Sequence, residues 1–456
     1  MSSAGFDRKL IAPMMLGSIL NPINSSMLAV ALIPIGAAFG IPPSQTAWLV
    51  TGLYLATAVG QPVMGKLVDT YGPRRLYLIG TALVGVAGLM GALAPSLGFL
   101  IASRVLLGFG TSAAYPASMS LIRSEADRTG QESPTGVLSA LSIANQVIAV
   151  IGPTLGGVLI GLGGWHLIFT INVPLSIACV LLGWFWLPRR ATGVRTGQRL
   201  DYAGIVLFAA MLVSLMVFLM LPAVSRLYLP VLAIAFGAAF ARRELRTLEP
   251  FIDLRVLGGN APLLATYARQ VLSFVVSYSF LYGFAQWLEE TRSLSASAAG
   301  LVLLPMSGAA IVITAITGRR AQVRGKLVAG SIVLLLAVAG LQLANAGSAL
   351  WLLIALGITA GFPQGLNGLA NQNALYHQAD PARMGSSAGL LRTGTYLGAL
   401  MAAAANATFF KTGATTTGLH HLSLFLLLTS SLLLLLTALD RSLRRIGRSP
   451  AGPTHS

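Results

Sequence analysis

Acids, bases and nucleophiles are scarce in this chain: 13 Asp and Glu, five His and one Cys among 456 residues. No nucleophile–base set stands out, and no G-x-x-x-x-G-K-[ST] phosphate loop is present. The lone Cys179 sits in an apolar run, where it reads as a small core residue; it offers neither an intramolecular disulfide nor a metal cluster. The sequence therefore predicts no enzyme, no cofactor, no metal and no ATP-driven cycle. Its chemistry-bearing residues are charges and amides at defined spacing, set within or beside long apolar runs. In Gly65-Lys66-Leu67-Val68-Asp69-Thr70-Tyr71-Gly72-Pro73-Arg74-Arg75 one acid is embedded among bases and bounded by glycines. Glycines at 65 and 72 allow a tight turn that bulky residues forbid; the plainer alternative is a basic loop that only orients the chain. Arg104 lies inside an apolar run. An arginine there costs about 2.5–3.5 kcal/mol on insertion scales, so it faces a cavity or a partner, unless it snorkels to the helix end.

Other polar groups fall into helical stripes. Gln364, Asn367 and Asn371 follow i, i+3, i+7 beside Pro363 and Gly365; such a stripe either lines a cavity or bonds a neighbouring helix. Tyr278, Tyr282 and Gln286 follow i, i+4, i+8, a set suited to a largely apolar pocket or to an interfacial belt. Asn145, Gly152 and Gly156 share a face, with Pro153 and Gly157 beside them. Small residues on one face let two helices approach closely, and the proline bends its helix. Arg269 and Arg392 lie one to two turns inside their helix ends, where snorkelling is expected.

The elements that position these groups follow from composition. Only 9% of residues are charged and 55% are hydrophobic, against about 25% charged in a soluble domain. Lipid is the solvent this surface needs. A bilayer core of about 30 Å takes about 20 apolar residues per helix. Spans are expected near 10–36, 45–64, 76–96, 98–122, 136–162, 165–187, 202–222, 227–241, 261–287, 297–317, 327–345, 348–374, 385–410 and 419–439, the eighth being short. No period-2 alternation suggests a barrel. Fourteen spans place both termini on one side. The loops on that side then hold 24 of the 30 Lys and Arg, against three opposite and three within spans. This asymmetry marks the first set as cytoplasmic. It also accounts for the net charge of +17, with attraction to anionic inner-leaflet lipid and without nucleic acid. Arg8 and Lys9 precede an apolar segment too long for a cleavable signal.

The halves echo each other: Gly318 to Gly325 repeats the spacing of Gly65 to Gly72, with Gln322 at the place of Asp69. Internal repeats mark many transporter folds. The expected organisation is an N-terminal six-helix bundle (1–200), two linking helices and a cytoplasmic link (201–257), a C-terminal six-helix bundle (258–440) and a basic tail (441–456).

Gly65, Leu67, Asp69, Gly72, Arg74 and Arg75 match the G-x-L-a-D-r-x-G-r-[RK] loop of the major facilitator superfamily, and the chain resembles that superfamily. Arg104 to Gly110 resembles its R-x-x-x-G-x-G motif, and Gly152-Pro153 with Gly156-Gly157 its antiporter motif G-P-x-x-G-G. Gly164-Trp165-His166-Leu167-Ile168-Phe169-Thr170-Ile171-Asn172-Val173-Pro174 is similar to a segment of the fourteen-helix drug:proton antiporter family. So are Glu249-Pro250-Phe251-Ile252-Asp253-Leu254 and Ala299 to Pro305. The resemblance implies an all-α integral membrane fold of 6+2+6 helices with pseudo-symmetric halves. It implies proton-coupled export of amphipathic small molecules by alternating access at the bacterial inner membrane, with a periplasmic adaptor as a possible partner. Asp69, paired with a helix end and with arginine, would be a cytoplasmic latch; Arg104 would serve near proton transfer; helix 5 would gate. The family's helix 1 aspartate falls at Asn24 here, and Asn does not titrate. All 13 acids lie in loops or at helix ends, which leaves Glu289 and Glu290 as the nearest coupling candidates. Without an acid, a pocket of amides and arginines would favour neutral or anionic substrates, and non-standard or no proton coupling is the alternative reading.

Overall fold

The structure, a computed structural model, describes residues 6–130, 135–189, 200–220, 223–320, 322–411, 413–444 and 446. Arg190, Arg195, Arg199, Arg445 and Arg448 of the basic set, the acid Glu132 and most of the tail 441–456 lie outside the described residues. Within the described residues every regular element is helical. In hydrocarbon no water bonds the backbone, so a segment must satisfy its own N–H and C=O groups. The helices in order are α1 (Ile11–Phe39), α2 (Pro43–Tyr71), α3 (Pro73–Ala92), α4 (Leu97–Thr111), α5 (Ala114–Thr129), α6 (Thr135–Gly163), α7 (His166–Thr170), α8 (Asn172–Trp186) and α9 (Tyr202–Met220). They continue as α10 (Tyr228–Glu244), α11 (Leu254–Gly258), α12 (Ala261–Glu290), α13 (Ala296–Thr317), α14 (Val323–Gly340), α15 (Leu350–Gln378), α16 (Met384–Phe409) and α17 (Thr416–Leu439).

Twelve helical stretches among the described residues are long and apolar enough to cross a membrane. They take in every long helix but α2 and α16, which run 29 and 26 residues and interleave apolar residues with polar ones, Ser, Thr and Gln in α2 and Ser, Thr, Arg and Asn in α16.

The helices depart from the expected spans at specific places. The basic segment is not a loop: α2 runs through Asp69 to Tyr71 and α3 starts at Pro73, so Gly72 alone breaks the chain. Gly72 has φ 95°, ψ 146°, which L side chains rarely adopt. Gly65 is helical and serves close approach rather than turning. The span expected over 98–122 is two helices with a break at Ser112 and Ala113. Pro116 explains it, because a proline ring clashes with the carbonyl four residues back, here that of Ser112. Pro174 acts likewise on Thr170, and the span 165–187 divides into α7 and α8 around Ile171.

The chain forms two compact units. The first comprises Met1–Glu132, Ile143–Gly259 and Ala379–Leu397; the second comprises Ser133–Ser142, Asn260–Gln378 and Gly398–Ser456. In the first, Met27, Leu28, Leu49, Leu100, Ile168 and Phe169 form a buried apolar cluster. In the second, Phe280, Phe284 and Trp287 of α12 pack among Leu334, Leu353 and Leu422 from α14, α15 and α17. Large apolar side chains also face outward: Ile33, Phe185 and Leu428 are 84%, 74% and 73% exposed. Such a surface suits lipid, since soluble proteins rarely expose wide apolar patches.

Candidate functional site

In the first unit α2 crosses the start of α16 almost backbone to backbone. A Cβ on Gly65 would fall 2.3 Å from the Gly385 carbonyl oxygen, and one on Gly389 would fall 2.3 Å from that of Gln61. Only glycine permits this approach. It brings Asp69 to the first turn of α16, whose N–H groups have no intrahelical acceptor. Gly385 N donates to Oδ1 at 2.8 Å, Ser386 N to Oδ2 at 2.8 Å, and the Ser386 hydroxyl to Oδ2 at 2.6 Å. A carboxylate at a helix N-terminus also gains from the helix dipole. Asp69 lies beyond the apolar part of α2, and burial pushes its carboxyl up to about 6 against the opposing pull of Ser386, Gly385 and Lys66. Of the arginines expected beside it, Arg74 turns away, donating to the Trp184 carbonyl at 2.7 Å and lying 5.1 Å from that ring's centre; Arg75 is exposed. Lys66 Nζ donates instead to Pro250 O at 2.9 Å, and Arg383 pairs with Asp253 at 2.9 Å, so the segment 249–254 is tied to the same corner.

A second polar group lies deep in this unit. Asn24 and Asn172 exchange side-chain hydrogen bonds, Asn24 Nδ2 to Asn172 Oδ1 at 2.6 Å and Asn172 Nδ2 to Asn24 Oδ1 at 2.9 Å, with both residues fully buried. Arg104 is fully buried, donates through Nη2 to Asn24 O at 3.2 Å, and lies 5.9 Å from the Phe169 ring centre. It does not snorkel. Its Nε and Nη1 have no hydrogen-bond partner among the described residues. Asn145 Nδ2 donates to Ser18 Oγ at 3.2 Å. Gly152 and Gly156 face α1, where a Cβ would meet Ser26 Oγ at 1.7 Å and Val30 Cγ2 at 2.9 Å respectively, whereas Gly157 faces open space. Pro153 lies within α6 and is partly buried.

In the second unit Asn367 Nδ2 donates to Ser273 Oγ at 3.4 Å and Asn371 Nδ2 to Gln270 Oε1 at 3.2 Å, so these two residues of the stripe bond α15 to α12; Gln364 is partly buried. Tyr278 and Tyr282 stack with ring centres 5.5 Å apart. Gln286 donates to Glu290 Oε1 at 2.8 Å, and Glu290 also accepts from Ala414 N; Glu289 and Glu290 are both exposed. Two expectations of snorkelling fail. Arg269 is fully buried and pairs with Asp440 at 2.6 Å, with Thr266 accepting its second donor. In the first unit Arg392 stacks 4.1 Å from the centre of the Tyr115 ring. Arg269 is held by the acid that caps α17 and Arg392 by a ring on α5, so neither depends on water.

Sequence reasoning did not single out Ser386, Asn172 or Tyr396, whose hydroxyl donates to Asn21 Oδ1 at 2.8 Å. Asn172 lies in the quoted 164–174 segment; nothing at positions 386 or 396 signals a partner so distant in the chain. Among the described residues no group of His, Cys, Asp and Glu could hold a metal.

Long apolar helices in two units, with charges reserved for helix ends and a few buried contacts, define a polytopic membrane protein of the transporter class. The chain belongs to the Major Facilitator Superfamily, whose family profile matches residues 14–403. It is 35% identical over 400 residues to the uncharacterized MFS-type transporter YwoD of Bacillus subtilis, covering 84% of this chain and 86% of that one. It is 29% identical to the lincomycin resistance protein of Streptomyces lincolnensis, over 83% of this chain and 79% of that one. The crystal structure of the human organic anion transporter MFSD10 shares the fold, with TM-score 0.70 over 93% of this chain and 99% of that one at 17% identity.

Proposed function

We propose that this major facilitator protein exports amphipathic small molecules by alternating access in exchange for protons. The observation that carries this reading is the Asp69 carboxylate seated on the first N–H groups of α16. Such a contact is strong while helices are together and lost when they part, as a conformational latch requires. Relatives that confer drug resistance support export. In this reading α2 and α16 also cross the bilayer, making fourteen spans as in the drug:proton antiporter family. They divide into six helices over 1–200, two linking helices and a link over 201–257, six more over 258–440, and a basic tail over 441–456. Gly65, Gly72, Arg74 and Arg75 shape the latch corner, and α6 gates through Gly152, Pro153, Gly156 and Gly157. Arg104, Glu289 and Glu290 are the coupling candidates. The residues proposed to meet substrate are Asn24 and Asn145 in the first unit, and Tyr278, Tyr282, Gln286, Gln364, Asn367 and Asn371 in the second. The protein sits in the bacterial inner membrane with cytoplasmic termini, and an adaptor in the periplasm is a possible partner.

A specific observation favours a second reading for the substrate. Asn24 is neutral and bonded to Asn172, while Arg104 beside it keeps two unfilled donors and no carboxylate. A neutral or anionic metabolite, moved with other coupling or none, would suit that centre better than a cation.

Everted membrane vesicles test both readings, with and without an imposed proton gradient, across cationic, neutral and anionic amphipathic compounds. Gradient-driven uptake of cationic or neutral compounds supports the first. Uptake of anions that is indifferent to the gradient and lost in Arg104→Gln supports the second.

A further inference from the structure

A groove outside the proposed transport machinery carries its own chemistry. It lies in the second unit, encloses about 490 Å³, and is lined in part by Arg324, Val328, Ile332, Leu443, Arg444 and Ile446. Among the described residues no carboxylate lines it. It sits at the first turns of α14, which has no side-chain cap and no acid to neutralise its free N–H groups. Arg324 Nε is buried there without a hydrogen-bond partner. The opposite wall is the turn Arg441–Arg444 that follows α17. That turn is anchored by Leu443, 1% exposed, in a cluster with Val323, Leu327, Ala370 and Ala374. The anchor holds Arg444 at the groove that Arg324 also lines. Farther along α14 the wall is apolar, and Ile332 is 42% exposed. Because α14 is one of the stretches apolar enough to cross a membrane, its first turns lie where hydrocarbon gives way to water.

We propose that this groove binds an anionic phospholipid, with the phosphodiester between Arg324, Arg444 and the α14 N-terminus and an acyl chain along Val328 and Ile332. Two arginines without an acid call for an anion. The apolar wall running on from them selects a lipid over a soluble phosphate. Diffuse attraction of a basic membrane face to anionic lipid would involve any arginine nearby, whereas this groove assigns the binding to two.

Native mass spectrometry of the full-length protein, titrated with phosphatidylglycerol or phosphatidylcholine, tests the assignment. In R324Q/R444Q, phosphatidylglycerol should bind roughly thirty-fold more weakly, with phosphatidylcholine unchanged. R319Q/R320Q, which changes two exposed arginines at the end of α13, should bind as the parent does. R444Q alone alters an exposed side chain and should give part of the loss if the double variant folds poorly. Parental affinity in R324Q/R444Q, or equal loss in R319Q/R320Q, overturns the proposal. Displacement of the lipid by millimolar inorganic phosphate overturns it in favour of a soluble anion.

Discussion

Ser386 holds Asp69 twice, its backbone N and its hydroxyl both donating to Oδ2, at 2.8 and 2.6 Å. Burial nonetheless outweighs these bonds and lifts the Asp69 carboxyl from 3.8 to about 6. A raised value means that the latched state takes up a proton more readily than an open, solvated one. Protonation therefore strengthens the latch as pH falls through about 6; above it the latch bears the full cost of burying charge. A cysteine at Ala388, buried in α16 one turn from Gly385, should be labelled more slowly at about pH 5 than at about pH 7.5 when each rate is divided by that of a solvent-exposed control cysteine, which removes the loss of thiolate at low pH. A higher normalised rate at the lower pH contradicts this.

Asp69→Asn keeps the shape, but its Nδ2 is a donor and must face either Gly385 N or the two Ser386 donors, from which it cannot accept. Transport should fall about tenfold, on the order of one such bond, while expression and elution volume hold. Wild-type flux in this variant would reduce the motif to a topology signal.

The Arg269–Asp440 pair ties α12 to the end of α17. Asp440→Asn leaves a fully buried guanidinium without its counter-charge and should cost about 3–5 kcal/mol of stability. Thermal unfolding of the purified protein reads this. Arg269→Met combined with Asp440→Leu should regain most of the loss, since an apolar pair carries no desolvation cost. A double variant no more stable than Asp440→Asn would show that the charges serve another purpose.

Gly152→Ala places a methyl 1.7 Å from the Ser26 hydroxyl oxygen, and Ser26 is engaged with Pro22 O at 2.7 Å. Overpacking of this kind costs about 1–3 kcal/mol. Gly157→Ala meets open space inside α6 and should match the parent or exceed it by up to about 1 kcal/mol, the helix preference of Ala over Gly. Equal melting temperatures for the two would refute close packing of α6 on α1.

The distribution of Lys and Arg predicts that the link 242–257 is cytoplasmic. In a Cys179→Ala background, Arg246→Cys should resist an impermeant maleimide in intact cells and react in everted vesicles. Labelling in intact cells would reverse the topology.

Hydropathy and charge asymmetry alone determined that this chain is a helical membrane protein, and short motifs with fixed Gly, Asp and Arg spacing pointed to its superfamily. These signals are local: an apolar run must become a helix in lipid whatever surrounds it, and Gly72 needs no distant partner to adopt its backbone. What depended on residues far apart was decided by tertiary packing. Asp69 accepts from an N–H donor 316 residues on. Asn24 pairs with Asn172. Arg269, expected to reach for water, is neutralised by Asp440. Even Gly65, expected to turn the chain, was assigned to helix crossing only by the arrival of Gly385. A guanidinium, an amide or a glycine has the same sequence signature whether it meets solvent, lipid or another helix. Its role follows from the partner, and in this chain the partners come from helices whose own sequences do not reveal the pairing.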